Sequence, residues 1–96
     1  MRQDSRLVGR HNIRFLKNER ENEWLVSIFD LEKATESKFN FGDKSYKTII
    51  NASLMNEYGY YPVQMFEIEE GIKFIRTEGK SNKEELVSLL ISQNAI

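Results

Sequence analysis

The run EWLVSIF at residues 23–29, broken at once by Asp30, constrains this chain more than any other stretch. Trp24, Leu25, Val26, Ile28 and Phe29 read as a strand, rich in aromatic and β-branched side chains. Asp30 then reads as the N-cap of a short helix, with Leu31, Ala34 and Thr35 carrying it through Ser37. Upstream, NIRFLKNE (residues 12–19) alternates Ile13 and Phe15 with Arg14 and Leu16 and reads as a strand. The polar NEREN stretch between the two is a turn, so they form a hairpin. A strand that passes straight into a helix calls for a sheet with helices against it.

The rest of the chain extends this α+β pattern. KFNFGD is a connector whose two Phe, Phe39 and Phe41, close over the core. KSYKTIINASLMNEYG reads as a central helix capped by Asp43 or Ser45 and ended by Gly59, with Tyr46, Ile49, Ile50 and Leu54 as its apolar stripe. YPVQMFEI follows as a strand, where Pro62 is admissible at the start or at an edge. EEGIKFIRTEG stays open between a second hairpin strand turning at Glu69-Glu70-Gly71 and a helix with Ile68, Ile72 and Ile75 on one face. SNKEELVSLLISQ reads as a closing helix, with Ser81 and Glu84 at capping-box spacing and Leu86, Leu89 and Leu90 inward. The expected fold is one small α+β domain over residues 1–96: antiparallel hairpins packed with three to four short helices. Its expected core is Trp24, Ile28, Phe29, Ile49, Ile50, Leu54, Phe66, Leu86, Leu89 and Leu90.

Composition narrows the chemistry. The chain has 96 residues and no cysteine, so disulfides, thiolate metal sites and cysteine nucleophiles are excluded. No apolar run approaches the ~18 residues that would span a bilayer, and the first residues lack the apolar core of a signal peptide. A cytoplasmic protein without membrane partners is expected. His11 is the single histidine and has no carboxylate at motif spacing, so general acid–base catalysis lacks a positioned pair. Glu69-Glu70 and Glu84-Glu85 are adjacent pairs whose members point apart. No phosphate-binding glycine motif and no Asp/Asn-rich metal loop occurs. We therefore expect no enzyme, no catalytic residue, no cofactor, no metal and no small-molecule substrate.

The formal charge of −1 hides an asymmetry. Residues 1–20 carry a net +4 and the remainder a net −5. A basic N-terminal arm at about residues 1–11 can meet a polyanion or dock on its own acidic body. On the expected central helix, Lys44, Lys47, Thr48 and Asn51 recur at i, i+3, i+4 and i+7, opposite the apolar stripe. Such groups bond phosphates and base edges when a helix lies in a major groove. With the preceding short helix and the KFNFGD bend they outline a helix-turn-helix. Beside it, EYGYY places Tyr58, Tyr60 and Tyr61 next to Gly59, which suits a protein contact, base stacking or plain packing.

WLVSIFDLEKA (residues 24–34) and FEIEEGIKFI (residues 66–75) resemble the BRO-type N-terminal domain of phage and viral antirepressors. That family has a strand pair leading through a W-F-V-A-x-D-V-like passage into a helix, then a strand running into E-x-G-L-Y and a closing helix. The order matches over residues 12–91. Trp24 to Asp30 is one residue longer than the family's pattern, and Lys73 stands where its Tyr would be. The resemblance implies DNA binding or antirepressor activity, favours the helical reading of EEGIKFIRT, and brings no catalytic residue.

Two functions follow as expectations. One is a small phage-type or mobile-element DNA-binding regulator, with Lys44, Lys47, Thr48 and Asn51 facing DNA and Arg2, Arg6, Arg10 and Arg14 adding phosphate contacts. Its weakness is net charge, because affinity for DNA comes largely from neutralised phosphates. The other is a small non-enzymatic interaction protein that inhibits or adapts a host protein complex, docking through Tyr58, Tyr60 and Tyr61 or its acidic body. A homodimer is compatible with either.

Overall fold

The computed structural model describes residues 2–96. Its elements run β1 (Arg2–Val8), β2 (His11–Asn18), β3 (Glu23–Ser27), α1 (Ile28–Thr35), β4 (Ile49–Asn56), β5 (Gly59–Glu67), α2 (Ile68–Glu78) and α3 (Lys83–Asn94). The five strands form one antiparallel sheet in the order β1-β2-β3-β5-β4, and three helices complete an α+β domain. Among the described residues no helix is long and apolar enough to cross a membrane.

Strand alternation gives the sheet two different faces. Phe15, Val26, Phe66 and Ile49 are successive cross-strand neighbours on the helix side. They join Ile28, Leu31, Phe74, Ile75, Leu86 and Leu90 in the main core. The opposite face holds a second cluster of Leu16, Leu25, Leu54, Val63 and Met65, which contains no helical residue. The sheet covers that cluster by coiling until two diagonal corners meet. There Gln3 Nε2 donates to the Met55 carbonyl at 3.1 Å, and Gln3 Oε1 accepts from the Met55 N–H.

Helix α1 starts earlier than Asp30. Ser27 is its N-cap, and the Ser27 hydroxyl accepts from the Asp30 N–H at 3.2 Å. Strand β3 therefore ends at Ser27, and Ile28 and Phe29 belong to the first helical turn. Ile28, Leu31, Ala34 and Thr35 form the buried stripe, which leaves Phe29 outside it and 57% exposed, against the expectation of a core residue. Helix α3 also departs from its expected cap. Asn82, in a left-handed conformation, precedes it with no side-chain cap, and Ser81 instead donates its hydroxyl to Glu36.

The ambiguous EEGIKFIRT segment is helix α2. Its Gly71 sits against the sheet, where a Cβ would lie 2.9 Å from Val26 Cγ1 and 3.0 Å from Leu90 Cδ2. Close packing, rather than a turn, explains this glycine.

The expected central helix is absent. Residues 36–48 are an irregular connector, and Ile49–Asn56 is a strand that pairs along its whole length with β5. The same segment also alternates, with Ile50, Ala52 and Leu54 on one face and Asn51 and Ser53 on the other, and pairing with β5 decides between the two periods. The supposed helical stripe divides accordingly. Tyr46 and Ile49 join the helix-side core, whereas Ile50 and Leu54 join the other cluster.

The basic N-terminal segment is not an arm. Arg2–Val8 is edge strand β1, paired with β2 from Arg2↔Lys17 to Val8↔His11. Met1, the first residue of the expected arm, lies outside the described residues.

Candidate functional site

The cations of the N-terminal segment are largely used within the fold. Arg2, Asp4 and Arg6 alternate on the helix-side face of β1, so they meet the groups behind it. The Arg2 guanidinium lies 5.2 Å from the centre of the Trp24 ring, which Lys17 Nζ also faces at 5.3 Å. Arg6 donates to Ser92 Oγ at 3.2 Å and to Gln93 Oε1 at 3.3 Å, at the C-terminal end of α3. A cation is well placed there, where helix carbonyls gather negative charge. The buried Gln93 completes the bridge by donating to Asp4 at 3.0 Å.

Arg14 is held more tightly. Its Nε donates to Asp30 Oδ2 at 2.8 Å and its NH2 to Asp30 Oδ1 at 2.9 Å, a two-pronged pair. Further bonds reach Ser27 Oγ and the Tyr61 hydroxyl, both at 3.3 Å. The Asp30 hydrogen bond drives the guanidinium still further above its already high ordinary pKa, so this charge is fixed. Of the four candidate arginines, Arg10 alone points free, from the β1–β2 turn.

Lys44, Lys47 and Thr48 are exposed in the connector, and Asn51 is exposed on β4 opposite Gln64. No helix presents them together, so the helix-turn-helix outline does not exist. The connector is anchored between the two lysines by Tyr46. This ring stacks on Phe66 at 5.6 Å, pairs edge-on with Phe39 at 4.9 Å, and shares a hydrogen bond with Thr77 at 3.3 Å. Burial raises the Tyr46 pKa. Nearby, the Ser45 N–H bonds the Asp43 carboxylate and pulls its pKa below the ordinary range.

The three tyrosines separate into two roles. Tyr61 is half-buried, its ring 5.8 Å from the Arg14 guanidinium and its hydroxyl bonded to it, so it serves the fold. Tyr58 and Tyr60 are 89% and 70% exposed at the tip of the β4–β5 ribbon. The local sequence puts them there. Asn56 Oδ1 accepts from the Tyr58 N–H at 2.8 Å, and Gly59 takes φ +122°, which closes a two-residue hairpin turn with Tyr58 outermost. Met55 is the cross-strand neighbour of Tyr60 and is 55% exposed.

From that tip a strip of surface follows the helix-side face of the ribbon beyond the reach of the helices. Tyr60, Pro62 and Gln64 on β5 face Met55, Ser53 and Asn51 on β4, and all six are exposed. The strip runs into a groove of about 350 Å³ whose lining includes Arg14, already paired with Asp30, besides Phe29, Glu32, Phe41, Pro62 and Gln64. Phe29 and Phe41 are large exposed apolar side chains on its walls. Sequence reading missed Met55, Phe29 and Phe41 as surface residues. For Phe29 the signal was available, because starting the helix at Ile28 leaves it off the Ile28/Leu31/Thr35 stripe. The ribbon from residue 49 to 67 holds Glu57 and Glu67 and no cation.

Among the described residues no group of three or more His, Asp or Glu side chains converges as a metal site would. Comparison of the chain with protein-family models, curated proteins and solved structures finds no match.

Proposed function

We propose that this protein is a small non-enzymatic interaction module that docks on a protein partner, and so inhibits or adapts a complex, through the exposed face of the β4–β5 ribbon. The observation that carries this reading is the ribbon tip, where Met55, Tyr58 and Tyr60 stand in solvent while Trp24, Phe15, Phe66 and Phe74 are buried. Exposed aromatic and thioether side chains in one patch, beside the uncharged Asn51, Ser53 and Gln64 and with the acid Glu57 at the tip, have the composition of a protein-binding centre. The reading as a DNA-binding regulator has less support. A two-stranded ribbon can enter a major groove, but this one has no cation to neutralise phosphates. An antirepressor-like activity, as the resemblance implies, would be compatible with contact to a regulator protein.

The test is capture from nuclease-treated extract by the intact protein and by Tyr58→Ser and Tyr60→Ser variants. A retained protein should be lost from the variants, with a weakening of about thirtyfold for a tip residue acting as an anchor. Retention of duplex DNA alone, reduced by Lys47→Ala and unchanged by the tyrosine variants, would refute the proposal in favour of the DNA-binding regulator.

A further inference from the structure

We infer that the outer edge of β4 pairs with β4 of a second copy, joining two sheets about a two-fold axis at Ala52. Edge strands normally carry charge, proline or a bulge that discourages pairing. The opposite edge, β1, obeys this with Arg2, Asp4 and Arg6. Strand β4 has eight residues, IINASLMN, with no charge, proline or glycine. Its register with β5 is continuous from Ile49↔Phe66 to Asn56↔Gly59, so no bulge twists it away.

The backbone of this edge is available over its middle. The Met55 N–H and C=O point outward, since both are taken by Gln3. In an antiparallel strand alternate residues direct these groups to the same side, so Asn51 and Ser53 present theirs outward as well. Among the described residues Gln3 is the one side chain that satisfies this edge, and it does so at its end. Gln3 therefore acts as a stop that leaves Ile50–Leu54 as the pairing segment.

The sequence of that segment suits its own copy. An isologous strand pair sets each residue opposite its mirror position about the axis. About Ala52 the pattern is near-palindromic: Asn51 meets Ser53, Ile50 meets Leu54, and Ala52 meets itself. The Asn51 and Ser53 backbones would exchange four hydrogen bonds across the axis. The Ile50 and Leu54 side chains would pack across the seam on the face of the second core cluster. With no charge in the segment, self-pairing meets no like-charge repulsion. The ribbon faces stay open in such a pair, and the two tyrosine tips lie at opposite ends, roughly 35 Å apart for extended strands.

Sedimentation velocity of the intact protein from micromolar to sub-millimolar concentration tests this. The expected result is concentration-dependent growth from 11.3 kDa to twice that mass. Ser53→Pro removes an outward N–H that no intrachain bond uses, so it should weaken association about tenfold or more with an unchanged circular dichroism spectrum. Asn51→Lys, which places a charge on the edge without touching the backbone, should also favour the monomer. Because the chain has no cysteine, Ala52→Cys provides a check of register: mild oxidation should give a covalent dimer, and Ser45→Cys in the connector should not. A monomer throughout the range, or a dimer indifferent to both edge substitutions, would overturn the inference.

Discussion

Strands β1 and β4 are the two edges of one sheet, seven and eight residues long, and they handle exposure in opposite ways. In β1 the alternating Arg2, Asp4 and Arg6 reach Trp24, Gln93 and Ser92, so charge that looks free in the sequence ties the edge to its own core and to α3. In β4 the alternating Asn51, Ser53 and Met55 face solvent, and its outward backbone is satisfied by Gln3 at one end. Net charge along a chain therefore says little about which charged side chains stay free at the surface. Cations next to helix ends and aromatic rings are spent internally, and the ribbon that outruns its helices carries Glu57 and Glu67 but no cation.

If this contrast is right, changes around the N-terminal strands should cost stability and changes on the ribbon should cost binding. The largest effect is expected at Asp30, which is buried beneath Arg14. Asp30→Ala leaves a guanidinium without its counter-charge and should lower unfolding free energy by about 3 kcal/mol in urea titration. A loss below roughly 0.5 kcal/mol would mean that solvent already serves Arg14. Next comes Gln3→Ala, which removes the two hydrogen bonds closing the diagonal corner. It should cost about 1–2 kcal/mol by the same measurement.

A smaller effect is expected at high pH. Burial raises the Tyr46 pKa in the folded state, so the native protein holds this proton more tightly than the unfolded chain does. Stability from this source is complete below the ordinary tyrosine pKa of about 10 and is lost as pH rises past it. Denaturant midpoints followed into the alkaline range should fall, and the fall should be shallower in Tyr46→Phe. The smallest effect belongs to the tip. Tyr58→Ser and Tyr60→Ser should change thermal stability by no more than about 0.5 kcal/mol, and a larger loss would show that the tip is part of the fold.

The elements that sequence reading recovered are those whose pattern admits one interpretation. The alternation in β2, the Trp24–Val26 part of the apolar run and the Leu86/Leu89/Leu90 stripe of α3 all point one way, whereas Ile28 and Phe29, read with that run as strand, belong to α1. Residues 49–56 fit both periods, because Ile49, Ile50 and Leu54 satisfy helical spacing while Ile50, Ala52 and Leu54 satisfy alternation. A partner strand that begins three residues later settles the matter, and a local window cannot see it. The site was legible in part. Tyrosines flanking a glycine after Asn56 are a hairpin tip once the strand is known, whereas the fate of Arg6 depends on Gln93, at the far end of the chain.

The most direct test of the contrast between the edges is amide hydrogen exchange on dilute protein, where self-association is suppressed. Strong protection is expected for the β1 amides that bond β2, close to that of the sheet centre, and rapid exchange at Asn51 and Ser53. Rapid exchange throughout residues 2–8 together with protection at Asn51 and Ser53 would contradict that contrast.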